Sequence, residues 1–141
     1  MKKTVGILAI VSAVIITGLL LFWFFGGKVR AVTDESGIRV TGIVRSYNVR
    51  YDEVTSVQLL SHFNVGKAKP LRSVETYSCD NGDFVSEVYG EYRLDIYKGV
   101  SRYIVLTTSE GTYVLNANNV EDTEALYKSL CNSVRDAGGA I

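Results

Sequence analysis

The sequence predicts an α+β, mainly β protein. An N-terminal transmembrane helix precedes a bent antiparallel sheet, or partly open barrel, of about seven strands capped by a C-terminal helix. Three observations predict this architecture: an uncharged apolar run near the N-terminus, alternating apolar and polar residues in the middle, and apolar residues at helical spacing towards the end. A period of two is typical of a half-buried strand, and a period of 3.6 is typical of an amphipathic helix.

The apolar run extends from Val5 to Phe25 and contains no charged residue. A helix of about 20 residues at about 1.5 Å per residue crosses the hydrocarbon layer. The run is longer than the apolar core of a cleaved signal peptide and ends in aromatic residues around Trp23, which suit the membrane interface. These features favour an uncleaved single-pass anchor, which contacts the lipid bilayer, over a removed signal.

The anchor divides the chain into four predicted parts. Residues 1–27 form the anchor, 28–37 a polar linker, 38–137 one folded domain, and 138–141 a tail. Lys2, Lys3 and the amino terminus lie on one side of the anchor, and Lys28 and Arg30 lie on the other. The positive-inside rule therefore places the N-terminus in the cytoplasm by a small margin. The domain is expected outside the cytoplasm, at the cell membrane.

The charge balance disfavours a nucleic-acid partner. Lysine and arginine together number 15, as do aspartate and glutamate, and Lys2 and Lys3 precede the anchor. The remaining chain is therefore faintly acidic, whereas a nucleic-acid binder presents a dense basic face. The length beyond the anchor suffices for one core.

Seven short segments of the predicted domain carry strand patterns. The best of them include 54–60, 91–98 and 102–108, where apolar and β-branched residues alternate with polar ones. The residues 109–111 predict a hairpin turn, and Gly42 predicts a bend. No helical pattern interrupts the strands, so the sheet is expected to be antiparallel and meandering. The remaining strand segments are 38–44, 46–51, 71–77 and 112–116.

The sequence from Asp80 to Asp83 reads Asp-Asn-Gly-Asp and predicts a tight turn. Asn-Gly accepts the positive backbone angles that hairpins need. Calcium binding is the alternative, but the glutamate that completes a calcium loop is missing.

A helix is expected from about Val120, because Leu126, Leu130 and Val134 recur every four residues with Ala137 continuing the stripe. Asn118 or Asn119 can cap its start, and Gly138 with Gly139 can end it.

Two sets of residues are candidates for special roles. Lys67, Lys69 and Arg72 lie close together around a predicted loop at 64–70, where they either contact a lipid headgroup or form an ordinary solvated loop. Cys79 and Cys131 either form one disulfide or remain two half-buried residues that never meet. His62 is the only histidine, so a zinc site of the common kinds is not expected.

The order and spacing of several segments resemble the bacterial pleckstrin-homology-like (PH-like) domains. The likeness is carried by the segments 51–57, 89–97, 103–106, 110–116 and 123–127. It implies a strongly bent seven-stranded sheet with a C-terminal capping helix, attachment to membrane proteins and no enzymatic chemistry. The segment 62–86 departs from the family pattern, so no ligand residue is transferred.

The sequence therefore predicts a membrane-tethered, non-catalytic interaction module that binds a protein partner at the bilayer surface. An anionic lipid-headgroup binder is the alternative. No catalytic residue, cofactor or metal is expected, because no paired catalytic motif occurs. All nine tyrosines lie beyond the anchor, and tyrosine is enriched in protein interfaces.

Overall fold

A computed structural model describes residues 2–25, 28–139 and 141, and in this part of the chain two α-helices and nine strands are present. A short 3-10 turn, Tyr51–Glu53, joins two of the strands. The elements in chain order are α1 (Lys2–Phe25), β1 (Arg30–Thr33), β2 (Gly37–Thr41), β3 (Ser46–Arg50), β4 (Val54–Leu60), β5 (Ala68–Glu75), β6 (Cys79–Ser86), β7 (Gly90–Tyr97), β8 (Tyr103–Thr108), β9 (Thr112–Leu115) and α2 (Val120–Asp136).

Helix α1 confirms the predicted apolar N-terminal helix. An 18-residue window within Lys3–Phe25 has a mean hydropathy of 2.8, and none of its residues is buried against the rest of the chain. By length and composition, α1 is therefore able to cross a membrane, and its apolar side chains are exposed. The boundary predicted after Gly27 lies outside the described residues.

The strands form two sheets. A three-stranded antiparallel sheet has the order β1-β2-β3, and a six-stranded sheet has the order β4-β8-β9-β7-β6-β5. Strands β4 and β5 are the edges of the larger sheet, which is therefore not closed. Strand β1 arises within the segment 28–37, which was predicted to be a linker, and Val29 just before it is 4% exposed. This segment is thus part of the domain.

One strand pairing differs from the expected antiparallel meander. Strand β9 lies between β8 and β7, antiparallel to β8 and parallel to β7. Val114 and Leu115 are both 0% exposed, although they point to opposite faces of β9. A strand that is apolar on both faces is best buried in the middle of a sheet, which explains its insertion.

The turn predicted from Asp80 to Asp83 is wrong, because these residues lie inside strand β6. The real turn comes earlier, where the Thr76 N–H donates to the carbonyl of Cys79 at 2.8 Å. Gly82 has a φ of 148°, and a Cβ at this position would overlap the carbonyl oxygen of Arg72 on β5. The glycine therefore permits close strand approach instead of a hairpin turn.

The inner face of the six-stranded sheet carries the main core. The three-stranded sheet and α2 both cover this face, and Ile38, Leu106 and Leu130 from the three layers are each at most 1% exposed. Helix α2 begins as predicted at Val120, and the side chain of its N-cap residue Asn119 accepts a hydrogen bond from the Asp122 N–H. It ends at Asp136, so the helical stripe stops before Ala137.

The outer face carries a second, smaller core around Leu94, Val105 and Val114. Five aromatic residues surround it, and the segment 61–66, which precedes β5, lies over part of it through Phe63 and Val65. The aromatic residues are Phe63, Phe84, Tyr89, Tyr92 and Tyr103.

Candidate functional site: a groove lined by arginines

A surface groove of about 590 Å³ lies where the β2–β3 turn approaches the ends of β7 and β9. Charged side chains of both signs line this groove. The charged lining residues are Arg45, Arg72, Asp83, Glu91, Arg93 and Glu110.

Asp83 on β6 is the centre of the groove's charge network. Its Oδ1 lies 3.3 Å from Nη2 of Arg45 and 3.2 Å from Nη1 of Arg93, and its Oδ2 lies 3.2 Å from Nη2 of Arg72. The side chains of Arg45 and Arg72 remain 54% and 64% exposed. Each guanidinium has five N–H donors, so these two arginines keep donors that face solvent.

Arg93 forms the floor of the groove, with its side chain 4% exposed. Its Nε donates to Oδ2 of Asp95 at 3.2 Å, and its Nη2 donates to the carbonyl of Arg45 at 2.8 Å. Its Cζ lies 4.9 Å from the ring centroid of Tyr47, which stacks on Tyr113 at 4.8 Å. Arg93 therefore ties the β2–β3 turn of the small sheet to the large sheet.

Beneath the groove, Asn81 and Gly42 also hold the β2–β3 turn against the large sheet. We call these contacts, together with those of Arg93 and Asp95, the junction. The Asn81 side chain, 0% exposed, donates to Oδ1 of Asp95 and accepts a hydrogen bond from the Val44 N–H at 2.8 Å. A Cβ at Gly42 would collide with the side chains of Asn81 and Asp95. Gly42 was predicted to be a bend, and the structure shows that a close approach between the sheets requires the glycine.

Burial raises the pKa values of two acidic groups of the junction. It raises the pKa of the Asp95 carboxyl to about 6, although the Arg93 guanidinium acts in the opposite direction. Burial, followed by the negative charge of Asp95, also raises the pKa of the Tyr47 phenol well above 10. These groups hold and orient Arg93, so the groove presents fixed hydrogen-bond donors and acceptors.

The structure brings only one of the three predicted headgroup residues to this groove. Arg72 contacts Asp83, whereas Lys67 precedes β5 and Lys69 lies near its start. The carbonyl of Lys67 accepts a hydrogen bond from the Glu87 N–H at 3.2 Å, which places Lys67 at the β6–β7 end of the sheet. Lys69 and Arg72 both lie on β5, opposite Val85 and Asp83 of β6, and a shared headgroup site for the three cations stays a prediction.

The two cysteines both contact the main core. Cys79 begins β6 and is 0% exposed, while Cys131 lies half-buried on α2. The Ser78 hydroxyl lies 3.8 Å from Sγ of Cys79, and Cys131 has a free thiol in this structure. A disulfide between them stays a prediction.

His62 is exposed in the segment before β5, and its Nδ1 lies 3.1 Å from the hydroxyl of Ser61. In the described part of the chain, no group of three or more histidine, cysteine, aspartate or glutamate side chains is placed to hold a metal ion.

Sequence reasoning missed Arg45, Asp83 and Arg93 as groove residues, and it missed Asp95 as the buried partner of Arg93 beneath the groove. The one available signal was the spacing of Arg93 and Asp95, which places opposite charges on one face of β7. Glu91 lies on the same face, so the alternation is equally typical of a solvated strand face. Asp83 carried no comparable signal, because its arginine partners come from three other segments of the chain.

Comparison with known proteins gives no match to any family model, curated protein or solved structure. The resemblance to bacterial PH-like domains therefore stays a prediction.

Proposed function

We propose that this protein is a membrane-tethered, non-catalytic module that binds a protein partner at the bilayer surface. The observation that carries the proposal is that the apolar helix α1 has no buried residue and lies beside a folded domain. Such a helix is stable in lipid and would be a liability in water. A domain fixed to a membrane in this way encounters partners in the plane of the bilayer.

The groove is the surface that we propose for the partner. Arg45 and Arg72 expose hydrogen-bond donors at its rim, and Leu71, which is 57% exposed, offers an apolar contact beside them. Protein interfaces combine such apolar contacts with arginine and a polar rim. The fixed charge network below lowers the entropy that binding costs.

Photo-crosslinking in intact cells tests this proposal. A photoreactive amino acid at Leu71 is expected to give a discrete protein adduct, whereas the same label at Val32, which is 50% exposed on β1, is expected to give none. Arg72→Glu should reduce the Leu71 adduct. Arg50→Glu is the matched control, because Arg50 is also 64% exposed and ion-paired, but lies away from the groove. Equal adducts at both labels, or none at Leu71, would contradict the proposal.

Binding of anionic lipid headgroups is the second candidate function. Lys67 and Lys69 are exposed, and neither has an ion-pair partner within residues 2–25, 28–139 and 141. Unpaired cations attract anionic lipid in a salt-sensitive manner. Vesicles that contain phosphatidylglycerol should then bind the protein, and charge reversal at Lys67, Lys69 and Arg72 should abolish the salt-sensitive part. Unaltered binding would remove this candidate.

The side of the membrane is part of the same proposal. The charge asymmetry across α1 supports a domain outside the cytoplasm. Ser109, exposed in the β8–β9 turn, is a suitable labelling position, because the native Cys79 is buried. A Ser109→Cys variant should react with a membrane-impermeant maleimide in intact cells, beyond the reaction of the wild-type protein. Labelling only after permeabilisation would reverse the topology.

A further inference from the structure

The β5–β6 turn contacts the last turn of α1. The backbone N–H of Tyr77 donates to the carbonyl of Trp23 at 2.9 Å. The Tyr77 ring centroid lies 5.7 Å from that of Trp23 and 5.3 Å from that of Phe24. Tyr77 nevertheless remains 62% exposed, so one face of the turn is uncovered beside the helix end.

This contact suits the edge of a bilayer for two reasons. The last four carbonyls of a helix lack partners within it, and an unpaired carbonyl is costly where lipid excludes water. Tyr77 supplies a donor to one of these carbonyls. Tryptophan and tyrosine also prefer the membrane interface, where the ring lies in an apolar layer and the polar atom reaches water or headgroups.

We propose that the β5–β6 turn is a second membrane contact, in which Tyr77 enters the phospholipid headgroup layer beside Trp23 and Phe24. The inference rests on the proposed membrane tether. The occupant of this surface is the bilayer itself, because the exposed ring continues the aromatic end of the helix that the bilayer surrounds. A tether with one contact lets a domain tilt freely, whereas two contacts fix its orientation.

Hydrogen bonds connect the β5–β6 turn to the domain, so fixing the turn at the membrane also fixes the orientation of the sheets. The Cys79 N–H donates to the Thr76 hydroxyl oxygen at 3.1 Å, and the Lys98 N–H donates to the carbonyl of Ser78 at 2.8 Å. Lys98 also pairs with the carboxylate of Glu75.

A third hydrogen bond joins the same end of the domain to the segment that follows the anchor. The Tyr97 hydroxyl donates to the carbonyl of Val29 at 2.6 Å. Lys28 and Arg30 beside it are exposed and suit lipid phosphates. Bilayer, anchor and sheet are thus connected at one end of the domain.

The orientation has a consequence for the groove. Strands β5 and β6 run away from Tyr77, and eight residues of strand at about 3.3 Å each place Lys67 about 25 Å from the turn. The groove, lined by the first residues of β7 and β9, lies towards that far end. An upright domain therefore presents the groove to proteins and holds Lys67 away from the lipid that carries α1.

Depth-dependent fluorescence quenching tests the inference with the full chain in phosphatidylcholine nanodiscs. Trp23 is the only tryptophan, so Trp23→Phe gives a background in which a new tryptophan is the single probe. In that background, lipid brominated near the top of the acyl chains should quench most of the emission of a Tyr77→Trp probe. Val88→Trp is the matched control, since Val88 is 59% exposed at the opposite end of β6. Its emission should be unaffected.

Trp23 in the wild-type chain distinguishes failure of the second contact from failure of the membrane tether. If brominated lipid quenches Trp23 but not the Tyr77→Trp probe, the tether holds and the second contact is overturned. If lipid does not quench Trp23 either, the membrane tether and this inference fail together. Equal quenching of the Tyr77→Trp and Val88→Trp probes would also overturn the fixed orientation, because it would mean that both ends of β6 reach lipid.

A second measurement avoids the introduced tryptophan, which could itself change how residue 77 contacts the membrane. Energy transfer from a dye on Ser109→Cys to a lipid acceptor reports the height of the far end above the bilayer. Tyr77→Ala should broaden this distance distribution, whereas Tyr77→Phe should keep it narrow, because the ring is retained. Identical distributions for Tyr77→Ala and the wild-type residue would contradict the proposal, provided that circular dichroism shows a folded domain.

Discussion

The two faces of the six-stranded sheet are buried in different ways. The inner face packs against complete secondary-structure elements, namely the three-stranded sheet and α2, and its contacts are mainly aliphatic. The segment 61–66 covers part of the outer face, Tyr89 of the β6–β7 turn packs there as well, and the contacts are mainly aromatic. Regular elements bring many side chains at once, whereas a loop contributes one or two. The inner face therefore determines global stability, and the outer face can open locally.

Phe63 shows how the outer face is held. Its ring centroid lies 5.6 Å from that of Tyr89, 5.8 Å from that of Tyr92 and 5.9 Å from that of Tyr103. One side chain thus connects the segment 61–66 to two rings of the sheet and to one ring, Tyr89, of the β6–β7 turn. Aromatic pairs at such distances contribute about 0.5–1.5 kcal/mol beyond the burial of their area.

The largest effect is expected from Leu106→Ala on the inner face. Leu106 is 0% exposed between the sheets, so its removal leaves a cavity that regular elements cannot easily fill. The free energy of unfolding should fall by about 3 kcal/mol. Urea denaturation of the full chain in detergent micelles measures it, with Ser109→Ala in the exposed β8–β9 turn as a control. A loss below about 1 kcal/mol would mean that the inner face collapses easily.

The next largest effect is a pH dependence from Asp95, which faces the inner side of β7. Its pKa is about 6 in the folded state and 3.8 ordinarily, so the folded state binds the proton more tightly. The stabilisation is fully present below the ordinary value and is lost as pH rises through about 6. Between pH 4 and pH 7 the loss is about 2 kcal/mol, because at pH 4 the unfolded state is already partly protonated. We expect Asp95→Asn to remove this dependence, seen as the difference between the two denaturation profiles.

A profile for Asp95→Asn that parallels the wild-type profile would contradict the expected shift. It would mean that the Arg93 guanidinium, 3.2 Å from Asp95, outweighs burial and keeps the carboxyl ionised. The comparison therefore decides which of the two opposing influences is larger.

A smaller, local effect is expected from Phe63→Ala on the outer face. Phe63 is only half-buried, so the loss should be about 1–2 kcal/mol, below that of a fully buried ring. Hydrogen exchange should become faster in 61–66 while β8 stays protected. Phe84→Ala is the matched control, because Phe84 belongs to the same core but lies within β6. If both variants expose β8 equally, the two faces open as one unit.

Local patterns predicted best the elements that pack one mainly apolar face against the core. Strand β4 occupies 54–60 as predicted, and α2 begins at Val120 after its Asn119 cap. In both elements, the spacing of apolar residues indicates which face packs against the core. The same logic fails for the four residues of β1, most of which are exposed, so that no alternation marks them.

The sequence predictions are wrong where polar contacts with residues distant in the sequence outweigh a local backbone preference. Asn81 and Gly82 carry a turn signal, yet Asn81 bonds to Val44 and Asp95, which lie 37 and 14 positions away. The groove depends on the same long-range contacts. Arg72 could be picked out as a cation in a basic stretch, but its partner Asp83 follows from the pairing of β5 with β6.

The smallest effect is expected at the start of α2, the helix that covers the inner face. The side chain of Asn119 accepts from the Asp122 N–H at 2.7 Å, which satisfies one free donor of the first turn. Asn119→Ala should lower the free energy of unfolding by about 1 kcal/mol, and Asn119→Ser should restore most of it. Urea denaturation with hydrogen exchange in α2 measures both. The cap stabilises a helix on the inner face. Asn119→Ala should therefore accelerate hydrogen exchange in 61–66 only as far as the lower global stability requires. Selective acceleration of hydrogen exchange in that segment would show that the two faces do not open independently.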